Sequence, residues 1–240
     1  MTERAAIVTG ASSGIGLALA RMLGEEGHGL TVAARRPEKL EADAAGLRDA
    51  GFEVETVAGD LGDEAAVQDV VRRHRDRFGR VDVLVNNAGV GFGEPVEGLT
   101  AKRIDLQLAT NVRSTLLFYR ECAELLKAAG AEHRCALVLN TASISAKSGQ
   151  PWLSVYSATK AAIVGFTQAM HKELGGHGVK NTALCPAFVD TAMTDFVKGQ
   201  VSPEAMIQVE DIAEVVRVLL HQSPGCVVPE VQFVRQGDVL

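Results

Sequence analysis

The sequence predicts an α/β fold in which a doubly wound sheet of about seven parallel strands carries helices on both faces. Short apolar runs rich in β-branched residues alternate with longer helical patterns along the chain. Some of these runs, such as VDVLV, are apolar throughout, as strands buried on both faces are. Nearly every interval is long enough for a helix. A length of 240 residues and a hydrophobic content of 47% suit one domain, 1–240, with a large core.

The elements follow from these runs in chain order. The predicted strands are AAIVT, GLTVAA, FEVETVA, VDVLVN, CALVLNT, VKNTALC and VVPEVQFV. Right-handed crossovers between parallel strands place ligands at the carboxyl ends of the strands, where the strand order reverses. The segment of about 187–210 interrupts the alternation just before the last helix, and we interpret it as a substrate loop.

Composition and charge argue against several classes of protein. A net charge of -6 and a pI near 5.6 disfavour general affinity for nucleic acid or for an anionic membrane. No apolar run approaches the ~18 residues that span a bilayer, and no signal-peptide pattern follows MTER, so we expect a cytoplasmic protein. The spacing of the six histidines predicts no metal site. The four cysteines form no C-x-x-C pair, which indicates buried free thiols rather than disulfides: Cys122, Cys135, Cys185 and Cys226.

A glycine-rich turn, TGASSGIG, follows the first predicted strand and opens the helical pattern GLALARMLGEEG. Glycines at these positions allow a tight turn, close approach of the backbone to a pyrophosphate, and close packing of helix on strand. The unpaired N–H groups of the helix N-terminus would face the anion. A merely structural turn is the alternative. The placement favours a dinucleotide site formed by Gly10, Ser12, Ser13, Gly14, Ile15 and Gly16.

A tyrosine and a lysine lie four residues apart in YSATKAA, at the start of a clearly helical pattern. Tyr156 and Lys160 therefore share one helical face. Such a pair is often only a packed ring with a lysine stem across it. A tyrosine with an ordinary pKa near 10 is a poor proton shuttle at neutral pH unless a cation stabilises the phenolate, and Lys160 is such a cation.

Four motifs in order carry a family resemblance: the spacing G-x-x-x-G-x-G, NNAG at 86–89, a serine at 143, and YSATK. With them the chain, from residue 5 to about 194, resembles the short-chain dehydrogenase/reductase family of single-domain type. The resemblance implies a Rossmann-type fold and an oxidoreductase that moves a hydride between nicotinamide and a carbonyl or secondary alcohol.

The same resemblance implies roles for four residues. Tyr156 is the general acid/base, and Lys160 holds the nicotinamide ribose and lowers the pKa of the phenol. Ser143 orients the substrate carbonyl, and Asn111 supports a proton-relay water near the lysine. A phenol donor and a serine hydroxyl suit the negative charge that builds on a carbonyl oxygen during reduction. Taken alone, Ser143 could instead cap a turn, and Asn111 could simply kink its helix.

The end of the second strand indicates which nicotinamide cofactor is preferred. An acid there usually accepts hydrogen bonds from a ribose 2′-hydroxyl, but this chain has Ala34, followed by Arg35 and Arg36. Arginine pairs well with a 2′-phosphate, so NADP(H) is preferred over NAD(H). Two solvated arginines are the alternative.

Further cofactor contacts are implied by the resemblance. Asp60 and Leu61 match a pair at the adenine ring, although Asp60 could also cap the following helix. In CPAFVDTAM, Ala187 replaces a family glycine, which makes the local backbone less permissive. The remaining matched positions are Asn87, Ala88, Gly89, Pro186, Val189 and Thr191.

Apolar residues on the segments around the nicotinamide predict a mainly apolar substrate pocket. No cluster of basic residues demands an anionic substrate. The C-terminus lacks the G-Q-x-x-x-V-x-G-G ending typical of 3-oxoacyl-carrier-protein reductases in the family, so that activity is not assigned. With Ser143, the expected pocket residues are Phe92, Trp152, Phe188 and Met193, and Phe196 lies nearby in the sequence.

Assembly and alternative functions complete the expectations. The helix YSATKAAIVGFTQAM has apolar residues on more than one face, and in resembling enzymes it pairs with its symmetry mate, so we expect a homodimer or a dihedral homotetramer. A non-catalytic dinucleotide sensor is one alternative function. A sugar-nucleotide epimerase or dehydratase is another, but such enzymes generally need a larger C-terminal domain.

Overall fold

One sheet of seven parallel strands organises the chain. The computed structural model describes residues 3–133 and 135–238. Its strands pair in the order β3-β2-β1-β4-β5-β6-β7, which confirms the predicted doubly wound sheet. The strands are β1 (Arg4–Thr9), β2 (His28–Ala34), β3 (Val54–Ala58), β4 (Val83–Asn86), β5 (Ala136–Thr141), β6 (Val179–Pro186) and β7 (Glu230–Phe233).

Helices fill the intervals between the strands. A π-helical segment, Leu108–Arg113, joins α4 to α5. The helices are α1 (Gly14–Glu25), α2 (Pro37–Asp49), α3 (Glu64–Phe78), α4 (Ala101–Gln107), α5 (Ser114–His133), α6 (Ser154–Leu174) and α7 (Val209–Leu220).

Two hydrophobic cores lie on the two faces of the sheet. Alternate residues of β1 point into the two cores. Ala6 and Val8 lie in the core beneath α1, α2 and α7, whereas Ile7 lies in the core beneath α3 and α5. This alternation follows from the two-residue period of a strand. Strand β2 is buried along its whole length, as a parallel strand covered on both sides must be. The architecture is therefore a Rossmann-like α/β fold.

The strand order reverses beside β1, because the chain runs outward from β1 to β3 and then returns to β4 on the other side. A single hydroxyl ties the two strands together at their carboxyl ends. Thr9 Oγ1 donates to the Val85 carbonyl at 3.1 Å and accepts the backbone N–H groups of Asn87 and Ala88 at 2.9 and 3.0 Å. The loops that leave these strands diverge there and open a cleft.

The segment 187–210 contains two short 3₁₀ helices, Ala192–Val197 and Pro203–Ala205, and ends in the first residues of α7. An isolated bridge between Val189 and Ile207 ties its ends together. Within the described parts of the chain, no helix is long and apolar enough to cross a membrane, and no group of three potential ligands could hold a metal ion.

All four cysteines are free, but the expectation that they are buried is only partly right. Cys122 and Cys185 are buried, while Cys135 is partly exposed and Cys226 is exposed. The exception has a local cause, because Cys226 follows a turn in the loop between α7 and β7, where its N–H donates to the Ser223 carbonyl.

Candidate active site

A cleft of about 1130 Å³ opens at the carboxyl ends of the strands, and nearly all the predicted site residues line it. Two of them, Gly16 and Asn111, do not. We call the part around Gly10–Gly14, Arg35 and Arg36 the glycine-turn end. The part around the aromatic side chains is the aromatic end, formed by Phe92, Trp152, Phe188, Met193 and Phe196.

The glycine-rich turn needs its glycines for two different reasons. Gly10 and Gly14 have φ angles of +64° and +53°, in the left-handed region that other residues rarely adopt. Gly16 instead permits close packing, since a methyl group there would lie 2.3 Å from the Gly10 carbonyl oxygen and 2.5 Å from Asn87 Nδ2. Gly16 therefore packs against the side of the turn that faces Asn87 rather than the cleft, which explains why it does not line the cleft.

Asn87 holds this turn in place. Its Nδ2 donates to the carbonyl oxygens of Thr9 and Gly10 at 3.2 and 3.3 Å, and its Oδ1 accepts from Thr141 Oγ1 at 3.1 Å. The side chain thus links the ends of β1 and β5. Its side-chain amide is already hydrogen-bonded within the protein, so Asn87 contributes to the cleft mainly by positioning the backbone of the glycine-rich turn.

Helix α6 presents Tyr156 and Lys160 on one face, as predicted. Lys160 Nζ lies 5.6 Å from the centre of the Tyr156 ring and donates to the Thr141 carbonyl oxygen at 2.7 Å. Only 4% of Lys160 is exposed, and this burial lowers its pKa to about 8. The amine is therefore mostly charged at neutral pH and fixed beside the phenol.

The pKa of Tyr156 is raised, whereas the resemblance implies that Lys160 lowers it. Burial raises the pKa of the phenol, and a side-chain hydrogen bond with Ser143 opposes the rise. Lys160 does not lower it here, because its amine faces the tyrosine ring and the Thr141 carbonyl rather than the hydroxyl. At neutral pH the phenol therefore holds its proton.

Ser143 caps a turn, which is the alternative that the sequence leaves open, and it also lies beside the phenol; its role towards a substrate carbonyl stays a prediction. Its hydroxyl accepts the Ser145 backbone N–H at 3.1 Å and caps the 3₁₀ turn Ile144–Ala146. The same hydroxyl lies 3.4 Å from the Pro186 carbonyl and hydrogen-bonds with Tyr156. The cap fixes the serine beside the phenol, where both hydroxyls face the cleft.

Asn111 lies inside the π-helical segment, and its side chain is fully used within the protein. Oδ1 accepts the Val90 N–H at 2.8 Å, while Nδ2 donates to the Val90 carbonyl at 2.8 Å and to Thr159 Oγ1 at 3.0 Å. It therefore ties the loop after β4 to α6. The proton-relay role of Asn111 stays a prediction, and the side-chain amide has little capacity left for it.

The glycine-turn end carries two exposed cationic side chains. Within residues 3–133 and 135–238, neither Arg35 nor Arg36 has an ion-pair or side-chain hydrogen-bond partner. Asp60 Oδ1 accepts the Gly62 N–H at 3.0 Å, and the N-cap residue of α3 is Asp63. The alternative that Asp60 caps this helix is therefore wrong.

Aromatic rings from separate segments meet at the aromatic end. Trp152 contacts Phe196 edge-on with ring centres 5.8 Å apart, and Phe196 contacts Phe188 edge-on at 6.5 Å. Trp152 has a φ of +52°, the one positive φ among the described non-glycine residues. Such a conformation costs roughly 1–3 kcal/mol, and it persists only where the surroundings impose it.

The loop after β6 is not strained by the alanine that replaces the family glycine. Ala187 has no positive φ, and its N–H donates to the Phe233 carbonyl at 2.8 Å. Thr191 packs against the glycine-rich turn, since a methyl group on Gly14 would lie 2.9 Å from its Cγ2.

Sequence reasoning missed three basic residues that line the aromatic end. Each of them pairs with a carboxylate: Arg103 with Glu94, Lys147 with Glu230 at 3.0 Å, and Arg235 with Asp238 at 2.6 Å. Arg103 also lies over the Phe92 ring, and Arg235 over the Phe188 ring. The sequence holds one local signal for them, the charge pattern R-Q-G-D at 235–238.

Comparison with known proteins supports the motifs. A family model described as short chain dehydrogenase matches residues 4–201. A candidate ketoacyl reductase of the monensin polyketide synthase from Streptomyces virginiae is 39% identical over 198 residues, which cover 82% of this chain and 75% of that protein.

Solved structures match over nearly the whole chain. A variant of the actinorhodin polyketide ketoreductase, crystallised with NADPH, is 32% identical, covers 95% of both chains and has a TM-score of 0.86. A 3-ketoacyl-(acyl-carrier-protein) reductase from Brucella melitensis, complexed with NADH, is 28% identical, covers 96% of both chains and has a TM-score of 0.87.

Proposed function

The chain belongs to the short-chain dehydrogenase/reductase family, and from this premise we propose that it is an NADP(H)-dependent oxidoreductase acting on a carbonyl or secondary alcohol of a largely apolar substrate. The observation that carries the proposal is the grouping of Ser143, Tyr156 and Lys160 in the cleft that the glycine-rich turn also lines. When bound, NADP(H) supplies or accepts the hydride.

In this proposal Tyr156 donates its proton to the carbonyl oxygen during reduction. Burial raises its pKa, so the phenol is in the donating form at neutral pH. The Ser143 hydroxyl donates a second hydrogen bond to the oxygen as negative charge develops there. The charged amine of Lys160, fixed beside the phenol ring, holds a ribose hydroxyl of the cofactor in this proposal.

The preference for NADP(H) rests on the end of β2. Solved neighbours were crystallised with NADPH and with NADH, so they do not decide the preference. Arg35 and Arg36 supply two guanidinium groups that no described carboxylate neutralises, and Ala34 stands where an acid would repel a phosphate.

The alternatives receive less support. A sensor without chemistry has no need of a serine, tyrosine and lysine fixed together at one cleft. The relatives named above are ketoreductases, which favours carbonyl reduction over an epimerase reaction, and the family match ends at residue 201, before the last 39 residues of the sequence. Although relatives are named as ketoacyl reductases, those last residues include part of the cleft wall, so the substrate of this chain is a separate question.

We further propose that the protein is a homodimer or homotetramer assembled through α6. The exposed face of this helix carries small residues, which allow another helix to approach closely: Ala158, Ala161, Ala162, Gly165 and Ala169. Light scattering at micromolar concentration should give a dimer or tetramer mass, and a monomer mass would contradict assembly.

The test of function is a screen of neutral ketones and secondary alcohols with cofactor absorbance as the readout. We expect turnover of apolar ketones and a ratio of kcat/KM with NADPH to kcat/KM with NADH above one. Cofactor binding without turnover of any compound would favour the sensor. A ratio at or below one would contradict the cofactor assignment.

A further inference from the structure

The segment Gly89–Glu94 lies between two helical stretches, residues 152–160 and residues 103–111, and contacts both. Its odd-numbered glycines face side chains four residues apart at and before the start of α6. A methyl group on Gly91 would lie 3.2 Å from Tyr156 Cδ2, and one on Gly93 would overlap the Trp152 indole. A methyl group on Gly89 would lie 3.5 Å from Lys160 Nζ and also 3.4 Å from Asn111 Oδ1. Trp152 thus continues the row that Lys160 and Tyr156 begin.

The even-numbered residues of the same segment contact the other stretch, again at four-residue intervals. The Val90 backbone is bound by the Asn111 side chain, and the Phe92 N–H donates to Gln107 Oε1 at 3.3 Å. The Glu94 carboxylate pairs with Arg103. The segment is therefore held on one side by residues 103, 107 and 111, which fixes its glycines against residues 152, 156 and 160.

Trp152 is held more firmly than its exposure suggests. The residue is 49% exposed, so core packing does not explain its position. Its backbone carbonyl accepts the Glu94 N–H at 2.6 Å, its indole covers Gly93, and its φ is positive. A strained backbone that the surroundings impose this strongly is a sign of function.

The indole contacts a second exposed ring at the aromatic end. Phe196 is 57% exposed and meets Trp152 edge-on. The two rings come from segments far apart in the chain, and both line the cleft. Because the nearby arginines and Lys147 are already paired, the wall offers ring surfaces rather than free charge to a substituent.

We propose that Trp152, seated on Gly93, is a specificity-determining residue that selects carbonyl substrates with a flat, apolar aryl substituent and disfavours branched ones. The substituent packs against the exposed surface of the Trp152–Phe196 ring pair while the carbonyl oxygen reaches Tyr156, which lies four residues after Trp152 on the same face. This proposal rests on the proposed function and names the substrate class of that site.

The first test compares kcat/KM for an aryl methyl ketone with that for tert-butyl methyl ketone. Trp152→Ala and Gly93→Ala should both lower this aryl-to-branched ratio by about tenfold or more, because a methyl group on Gly93 displaces the indole. Trp152→Phe should keep most of the ratio. Gly149→Ala is the matched control, since a methyl group there meets nothing within 4 Å. An unchanged ratio in Gly93→Ala and Trp152→Ala would overturn the proposal.

The second test needs no turnover, because Trp152 is the only tryptophan in the sequence. The aryl ketone should quench its fluorescence saturably, and Gly93→Ala should weaken this binding by about tenfold while Gly149→Ala leaves it unchanged. Absence of saturable quenching, or equal quenching by the branched ketone, would overturn the proposal. Quenching by the aryl ketone in a protein that reduces neither ketone would support the aryl site and contradict the proposed reaction, so the two failures are distinguishable.

Discussion

At the glycine-turn end of the cleft the cations stand without described partners, whereas at the aromatic end each cation is paired with a carboxylate. Arg35 and Arg36 are exposed and unpaired within residues 3–133 and 135–238. The three basic residues of the aromatic end are Arg103, Lys147 and Arg235, and their partners are Glu94, Glu230 and Asp238.

The difference teaches which charge each end can accept. Free guanidinium groups favour a phosphate, because the attraction is not already satisfied inside the protein. Paired groups leave a wall with little net charge, so a charged substituent gains little there and an apolar one loses little. The two halves of one cleft are thus suited to a charged cofactor and a neutral substrate.

The largest expected effect lies where the two ends meet. Tyr156→Phe should keep cofactor affinity within a few-fold and cut turnover by about two or more orders of magnitude, because the ring stays while the proton is lost. Steady-state turnover and cofactor titration measure the two quantities. Tyr119→Phe is the matched control at the only other tyrosine, which is buried away from the cleft, and it should retain turnover. Near-normal turnover in folded Tyr156→Phe would contradict the acid/base role.

Changing the charge at the glycine-turn end should reverse the cofactor preference. Arg35→Ala should lose a charge-assisted hydrogen-bond pair worth about 1.5–3 kcal/mol, or roughly ten- to hundredfold in affinity for NADPH, with little effect on NADH. Arg36 compensates in part. Adding Ala34→Asp introduces repulsion and should reverse the NADPH to NADH ratio of kcat/KM.

The control for this reversal is Arg21→Ala, which removes an exposed arginine of α1 that does not line the cleft. It should leave the ratio as it is in the wild type. A double variant that still prefers NADPH would show that the unpaired arginines do not set the preference.

Lys160 belongs to neither end, since it is buried and its amine is held by a carbonyl rather than a carboxylate. Its pKa is lowered to about 8 by burial, from an ordinary value of 10.5. In the unfolded chain the amine keeps its proton up to the higher value, so at pH 7 the buried charge costs about 3 kcal/mol of stability, and the cost fades as the pH rises from 8 to 10.5.

Lys160→Met should therefore raise the free energy of unfolding at pH 7 by about 1–3 kcal/mol, after allowance for the lost hydrogen bond to Thr141. Urea denaturation at pH 7 and at pH 10 measures the gain, most of which should be absent at the higher pH. A loss of stability at pH 7, or a gain independent of pH, would contradict the burial cost.

The smallest expected effect comes from freeing one cation at the aromatic end. Asp238→Asn leaves Arg235 without its carboxylate, so kcat/KM for a ketone bearing a carboxylate should rise about three- to tenfold relative to a neutral ketone. Asp195→Asn, which removes a partner of Lys198 outside the cleft, should change nothing. An unchanged ratio in Asp238→Asn would show that pairing does not govern the selection.

The fold could be predicted because the sequence pattern of each strand is distinctive. Continuous apolar runs of β-branched residues admit few other structures, and all seven appear in the sheet. Their ends differ by a few residues for local reasons: β7, for example, begins after Pro229, which has no N–H to donate to a ladder.

The site was predictable only as far as motifs carry it. Motif spacing alone predicts where the glycine-rich turn, Tyr156 and Lys160 lie. The contact between Trp152 and Phe196 joins segments far apart in the chain, and nothing local encodes it. The direction of the Tyr156 pKa depends on burial and on where the lysine amine points, which spacing alone does not fix. The alternating glycines 89, 91 and 93 are visible in the sequence, but their partners are not.

Strand β7 lies at an edge of the sheet, because within residues 3–133 and 135–238 it pairs only with β6. Residues between Val234 and Asp238 line the aromatic end. The described residues after β7 belong to no interior strand and to no part of the glycine-rich turn, so we expect substitutions there to leave both in place. Sequence changes in this short stretch can therefore alter which substrates fit the cleft without touching Ser143, Tyr156 or Lys160.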